Sequence, residues 1–197
     1  MKKLFIIGAV MLFCVSTASF AQAKFGVKAG VNIANYAGDD AGDMDSRVAP
    51  LFGAFVRMHL SDKLAFQPEI LYSMKGATGS GEIEGVNVDV TERIDYIDVP
   101  LMLKLYVSNG FNIQAGPQLS FLLSAEGEFE GGGVSVTEDY KEYMKGTDFG
   151  FNIGAGYDFD FGLGFDVRYS LGLSNVVDEG DSEIKNKAFQ LGVSYAF

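Results

Sequence analysis

The feature that most restricts the fold of this chain is an apolar residue at every second position, sustained over about ten residues and repeated eight times. In the first segment the apolar positions are Phe25, Val27, Ala29, Val31 and Ile33, with polar residues or glycine between them. A period of two places alternate side chains on opposite faces of a β-strand. The other segments lie at residues 48–60, 64–75, 98–107, 111–123, 148–159, 163–171 and 189–197.

The connections between these segments alternate strictly between short and long. Three are tight turns, at residues 61–63, 108–110 and 160–162, and four are long and polar, at residues 35–47, 76–93, 126–146 and 175–186. Membrane barrels of bacteria have short periplasmic turns, long extracellular loops and strands of about ten residues. The sequence therefore predicts an all-β fold over residues 24–197: an eight-stranded, antiparallel, up-and-down transmembrane β-barrel.

A soluble barrel of the lipocalin type is the alternative, because it also has eight alternating strands but turns its apolar face inward. Here the polar face carries many glycines and charges, and the apolar face is bulky and aromatic, which favours lipid on the outside. The aromatic residues fall in two bands about 20 Å apart, close to the apolar height of such barrels. The periplasmic band includes Phe66, Phe111 and Phe165, and the extracellular band includes Phe52, Tyr72 and Phe149.

Residues 1–23 are typical of a cleavable export signal. Lys2 and Lys3 precede an apolar run, and the small residues that follow end in Ala21-Gln22-Ala23. Cleavage after Ala23 and cleavage after Ala21 both fit this pattern. The apolar run is short for a permanent membrane anchor. The single cysteine, Cys14, lies within the signal, so the mature chain would have no disulfide.

The chain is acidic, with a formal net charge of −11 that becomes −13 when the two signal lysines are removed. This charge argues against nucleic acid as a partner. Much of it lies in the predicted extracellular loops, where four carboxylates occur within residues 39–45. Solvated charge is the simpler interpretation, and bridging by divalent cations to lipopolysaccharide is the alternative.

Charges of both signs also occur on the polar face, which a membrane barrel turns toward its lumen. Because eight strands enclose a space that side chains fill, we predict that these charges pair and close the lumen. A path for protons or small ions is the alternative. The predicted lumen charge network consists of Lys28, Arg57, Glu69, Lys104, Asp158, Asp166 and Arg168.

The sequence predicts no catalytic, cofactor or metal site. Lipid-modifying barrel enzymes use a Ser/His/acid arrangement near the outer leaflet. The single histidine, His59, lies one residue from a predicted periplasmic turn, at the opposite end. Neither cysteine chemistry nor a zinc ligand cluster is available. An enzyme is therefore the least favoured of the functions that we considered.

Three segments, at residues 69–76, 96–104 and 114–120, resemble recurring segments of the PorT-like outer-membrane β-barrel family, which is common in Bacteroidetes-type bacteria. The resemblance covers the mature chain and implies a barrel in the outer membrane. The founding member is associated with a secretion system for gingipain-like proteases. The resemblance therefore implies a role in protein export as the alternative to a structural or surface-interaction role through the acidic loops. It assigns no catalytic or binding residues.

The last strand resembles the C-terminal signal that the barrel-assembly machinery reads, in which alternating apolar residues end on an aromatic one. We therefore expect this machinery, together with outer-membrane lipid and lipopolysaccharide, among the partners of the chain. The residues of the predicted assembly signal are Phe189, Leu191, Val193, Tyr195 and Phe197.

All four prolines lie within predicted strands: Pro50, Pro68, Pro100 and Pro117. Proline has no backbone N–H to donate, and a closed barrel has no edge strand where that loss is harmless. We therefore expect β-bulges or missing hydrogen bonds at these positions.

Overall fold

The computed structural model describes residues 23–38, 41–83, 85–178 and 183–197. The predicted signal, up to residue 22, lies outside the described residues. The described chain is almost entirely strand, with one short 3-10 helix at Lys141–Tyr143, and among its helices none is long and apolar enough to cross a membrane. The strands are β1 (Lys24–Ala37), β2 (Asp45–Ser61), β3 (Leu64–Lys75), β4 (Ala77–Ile83), β5 (Val86–Tyr106), β6 (Phe111–Gly131), β7 (Val134–Asp139), β8 (Thr147–Asp158), β9 (Leu163–Gly172) and β10 (Lys185–Ala196).

Eight antiparallel strand positions form a closed ring. This confirms the predicted eight-stranded β-barrel. The first and last strands close it, with β1 paired to β10 from Gly26↔Ala196 to Ala37↔Lys185. Strands β3 and β4 together occupy one position of the ring, because both lie between β2 and β5. Strand β7 lies outside the ring and pairs with β6 alone.

Gly76 separates β3 from β4, and the geometry there requires glycine. Its φ is +122°, a region that other residues avoid. A side chain would also collide with the backbone of β5, since a Cβ at this position would lie 2.0 Å from the carbonyl oxygen of Glu92. The chain therefore changes direction between β3 and β4 at this glycine and continues toward the extracellular side as β4.

Burial alternates along the strands with the apolar side chains outward. On β9, Val167 is 41% exposed and Tyr169 is 39% exposed, whereas Arg168 between them is 1% exposed. A soluble barrel would show the opposite arrangement, with charged residues in water and apolar residues inside. The outer surface of this ring is therefore a lipid-facing surface, and the lipocalin-type alternative does not apply.

Two of the four long connections are more ordered than the sequence indicates. Strand β4 forms a hairpin with the first part of β5, and the last part of β6 forms a hairpin with β7. The ladder of β5 with β6 also runs on to Val88↔Gly131. Strands that already pair within the membrane can continue their backbone ladder beyond it in the same register. The polar side chains of these connections do not prevent such pairing, because an antiparallel sheet can face water. A four-stranded sheet, β4–β5–β6–β7, thus extends the barrel on its extracellular side.

Three of the four prolines interrupt the strand pairing, as expected. The β2–β3 ladder has no pair at Pro68, the β3–β5 ladder none at Pro100 and the β5–β6 ladder none at Pro117, and each resumes in the same register. Pro50 stands opposite Val31 in an unbroken ladder. The register shifts that mark bulges lie elsewhere, at His59/Ser61 and at Asp95/Tyr96. The barrel therefore tolerates three of its prolines by omitting two neighbouring pairs at each rather than by adding residues.

Candidate functional site: the barrel lumen and its extracellular mouth

Arg168 is at the centre of the lumen. Its two terminal nitrogens donate to the two carboxylate oxygens of Glu69, at 2.8 and 2.6 Å. Its Nε lies 2.9 Å from Oδ1 of Asp166, and Lys28 Nζ lies 2.5 Å from the same oxygen. All four side chains are buried, so none of these charges is solvated by bulk water. The bidentate arginine–carboxylate pair is the strongest arrangement available to such charges.

Asp158 is the second centre, near the periplasmic end of β8. Its carboxylate lies 2.7 Å from Lys104 Nζ and 3.0 Å from Arg57 Nη2. Gln67 joins the two centres, because it accepts a hydrogen bond from Arg57 Nε and donates one to Glu69, each at 2.7 Å. The structure thus brings all seven residues of the predicted lumen charge network into one connected set of side chains.

Sequence reasoning missed the neutral members of this network. Gln67 connects its two halves, Gln114 accepts a hydrogen bond from Arg168 at 3.1 Å, and Tyr106 donates one to Asp158 at 2.8 Å. These residues share the inward-facing parity of the charged ones, which was the available signal. A search for charges alone overlooks them, although buried charges need such partners for their remaining hydrogen-bonding atoms.

A second polar layer lies above the first. Lys75 Nζ is 3.0 Å from Asp98 and 4.7 Å from the centre of the Tyr96 ring. In the same layer Asp148 accepts hydrogen bonds from Ser174 and Asn186, at 2.6 and 2.9 Å. Two layers of paired side chains therefore occupy the lumen in succession.

Apolar residues replace this polar filling at the extracellular mouth. The ring of Tyr96 joins the two regions, because it contacts Lys75 below and belongs to the apolar core above. A cavity of about 430 Å³ adjoins this core between the extracellular connections. The buried residues of the core are Tyr36, Ala77, Ile94, Tyr96, Leu122, Ala125, Met144 and Val176.

His59 and the acidic loops form no reactive cluster in the described part of the chain. The His59 ring lies against that of Tyr106, with centroids 5.9 Å apart, close to the periplasmic turns. Among residues 23–38, 41–83, 85–178 and 183–197, no group of three His, Cys, Asp or Glu side chains is arranged to hold a metal ion.

The residues of the predicted assembly signal lie in a row on the outer face of β10, with Phe197 directly after the end of the strand. All five are exposed toward the lipid side, and Phe197 is 74% exposed. The rings of Tyr195 and Phe197 contact each other edge to face, with centroids 5.4 Å apart. The backbone N–H of Phe197 donates to the carbonyl of Phe25 at 2.8 Å, so the last residue takes part in closing the ring.

The closed ring, the lipid-facing surface and the filled polar lumen define an integral outer-membrane β-barrel. The chain belongs to the outer membrane protein beta-barrel domain family, whose model matches residues 20–178. No curated protein matches the sequence of this chain.

Solved structures with a similar fold include two bacterial proteins. The attachment invasion locus protein Ail of Yersinia pestis is 12% identical, with a TM-score of 0.50, and the match covers 89% of this chain and 99% of Ail. Neisserial surface protein A is also 12% identical, with a TM-score of 0.51 and the same two coverages. At this identity the likeness establishes the fold alone.

Proposed function

We propose that this protein acts at the cell surface as a closed barrel that presents a rigid, acidic β-sheet to a positively charged partner. The observation that carries this proposal is the sheet β4–β5–β6–β7, which continues the barrel strands beyond the membrane. A sheet built on the barrel wall holds its side chains in fixed positions, as an interaction surface requires.

The two faces of this sheet differ in chemistry. Residues that stand opposite one another in an antiparallel ladder share a face, and the ladders place Asp89, Glu126, Glu128, Glu130 and Asp139 on one face. Arg93 on the same face forms an ion pair with Glu128. The carboxylates outnumber this arginine, so the face attracts cationic groups and repels anionic ones.

The lumen supports a surface role over a transport role. Four cationic and three anionic side chains are connected across it and lie in a buried layer, with a second polar layer and an apolar core above. Eight strands leave little space beyond that taken by such side chains. We therefore place the interaction on the extracellular sheet and not within the barrel.

Charge distinguishes this surface from that of one structural neighbour. Ail has been crystallised with the heparin analogue sucrose octasulfate, a polyanion. The acidic face of β6 would repel such a ligand, so we propose a basic polypeptide as the partner here. Lipopolysaccharide bridged by divalent cations is the other outcome that the test below distinguishes.

The test reverses the sign of the charge on this face of the sheet and leaves the barrel unchanged. A Glu126→Lys/Glu128→Lys/Glu130→Lys variant should lose binding of a fluorescent oligolysine probe to whole cells, and wild-type binding should weaken steeply with added salt. The matched control is Val134→Lys/Val136→Lys on the opposite face, which should retain binding. Equal binding by wild type and the triple variant would refute the proposal. Loss of probe binding on adding Ca²⁺ at an ionic strength at which NaCl has little effect would favour the bridged lipopolysaccharide.

A role in protein export is the second candidate, and it rests on the resemblance of residues 69–76, 96–104 and 114–120 to the PorT-like family. A deletion strain separates the two candidates. An export role predicts that secreted proteins accumulate in the periplasm and that the barrel co-purifies with secretion components. A surface-interaction role predicts unchanged export and loss of the cationic probe from the cell surface.

A further inference from the structure

The cavity at the extracellular mouth has the size and the wall of a small-molecule site. Its volume of about 430 Å³ lies within the usual range for such sites, which are mostly apolar with a few polar groups. The two polar lumen layers do not account for it, because none of their named residues lines it, whereas Tyr36, Met144 and Val176 of the apolar core do. The side chains that carry the argument below are Tyr36, Met44, Glu92, Tyr140, Tyr143 and Met144.

Three of these side chains are tyrosines, contributed by two separate parts of the chain. Tyr36 comes from the end of β1, and Tyr140 and Tyr143 come from the connection between β7 and β8. Several aromatic side chains around one site are the usual surroundings of an organic cation.

Glu92 supplies the only carboxylate in the described wall of the cavity. The described Lys and Arg side chains form no ion pair with it, although they pair with Asp or Glu at eight places elsewhere. Burial, followed by the negative charge of this carboxylate, raises the pKa of Tyr36. Tyr36 therefore stays neutral, and Glu92 forms no ion pair with a cation of the described chain. Arg47, whose charge acts on Tyr36 and Tyr140, donates instead to the carbonyl of Lys75.

The hydroxyl group of Tyr140 is a second unused polar group. It is buried and has no hydrogen-bond partner among the described residues. Burial followed by the charge of Glu92 raises its pKa as well, so it remains a neutral donor. Because this hydroxyl stays neutral, Glu92 remains the one charged group in the described wall of the cavity.

The surroundings of the cavity select against anions. The connections that contribute Met44 and Val177 also carry Asp43, Asp45 and Asp178. Together with Glu92, these carboxylates lower the electrostatic potential at the mouth, which attracts cations and repels carboxylates and phosphates. An anionic lipid or fatty acid therefore does not fit, despite the apolar wall.

We propose that this cavity binds a small organic cation with apolar substituents, of the alkylated or aryl ammonium class. The charge lies between the Glu92 carboxylate and the tyrosine rings, and the apolar part contacts Met44 and Met144. This site is independent of the acidic sheet face proposed above, which lies on other residues. A ligand bound here stays at the extracellular end, because the filled lumen begins directly below.

The test uses three benzyl probes that differ in charge: benzyltrimethylammonium, benzyl alcohol and phenylacetate. Binding is measured by calorimetry on the mature protein folded in a maltoside detergent. Phosphocholine detergents are avoided because their head group is itself a quaternary ammonium. The ammonium should bind saturably and at least about tenfold more tightly than the other two probes. Equal affinity for the alcohol, or no saturable binding at millimolar concentration, would overturn the proposal.

Matched variants connect the binding to the named residues. Glu92→Gln removes the charge but keeps the size of the side chain, and it should weaken ammonium binding about tenfold. Glu128→Gln, on the outer face of the sheet, removes the same charge elsewhere and should leave the affinity within about twofold. Retained heat-modifiable gel mobility shows that each variant is folded. Unchanged affinity in folded Glu92→Gln protein, or an equal loss in Glu128→Gln, would refute the site.

Discussion

At the scale of single residues, Arg168 shows how the lumen depends on complete pairing. It is fully buried and contacts two carboxylates as well as the side-chain amide of Gln114. A buried ion pair contributes less to the free energy of folding than its contacts indicate, because both charged groups have lost their hydration. Removing one partner is therefore far more damaging than removing both.

Glu69→Gln should destabilise the protein by about 3–5 kcal/mol, because it leaves the buried Arg168 without its bidentate carboxylate. The free energy of unfolding in urea, followed by circular dichroism in lipid vesicles, measures this loss. The double variant Glu69→Leu/Arg168→Met should recover much of it. Glu128→Gln, in a solvent-exposed ion pair, should cost less than about 1 kcal/mol. A similar cost for Glu69→Gln and Glu128→Gln would contradict this account.

Val167→Arg tests the assignment of the two faces. Val167 lies on the outer face of β9, so the substitution places a charge in the hydrocarbon at a cost of about 2–4 kcal/mol. Ser170→Ala, on the lumen side of the same strand, is the matched control and should be mild. Gly154, on the neighbouring strand β8 opposite Arg168, is unsuitable as a control. A Cβ at this position would lie 2.2 Å from the carbonyl oxygen of Val167, so any side chain there would disturb the backbone. A milder effect for Val167→Arg than for Ser170→Ala would reverse the assignment.

At the scale of elements, the alternating pattern of β10 serves both the closure of the ring and the predicted assembly signal. Its backbone closes the ring against β1, and its outer side chains form the row that resembles an assembly signal. The two roles are separable by experiment, because a side chain on the lipid face can change without loss of the backbone ladder.

Phe197→Ser should lower the amount of protein assembled in the outer membrane, because it removes the terminal aromatic residue of the predicted signal. Immunoblots of membrane fractions, with boiled and unboiled samples compared, give the folded amount. Phe161→Ser, an exposed aromatic residue in a periplasmic turn, is the control and should leave this amount unchanged. Normal levels of the Phe197→Ser protein in the outer membrane would show that the barrel-assembly machinery does not recognise the last residue.

At the scale of the whole molecule, the barrel is closed in layers. Two polar layers are followed by an apolar core at the extracellular mouth. An eight-stranded barrel of this kind differs from a porin in its cross-section, since its side chains meet across the axis.

The folded protein should therefore show no stable, reproducible single-channel steps in planar lipid bilayers. The physical reason is the network around Arg168 and Asp158, which connects opposite walls of the barrel. A reconstituted porin in the same bilayers confirms that channels are detectable. Regular steps in the wild type that are lost on neutralising Arg57 or Arg168 would establish an ion path instead.

The sequence alone determined the barrel, because the period of two is a property of each strand and the lengths of the connections fix their alternation. It also determined which charges face the lumen, since parity follows from the apolar face. The signal at residues 1–23 and the assembly role of Phe197 remain predictions.

Only the tertiary structure decided what depends on strands meeting in space. The pairing of Lys28 with Asp166, the link through Gln67 and the hairpin of β6 with β7 follow from register and stagger around the ring. The cavity beside Glu92 is formed by residues from several distant connections. A repeating pattern specifies the direction of each side chain, but which side chains become neighbours depends on the closure of the ring.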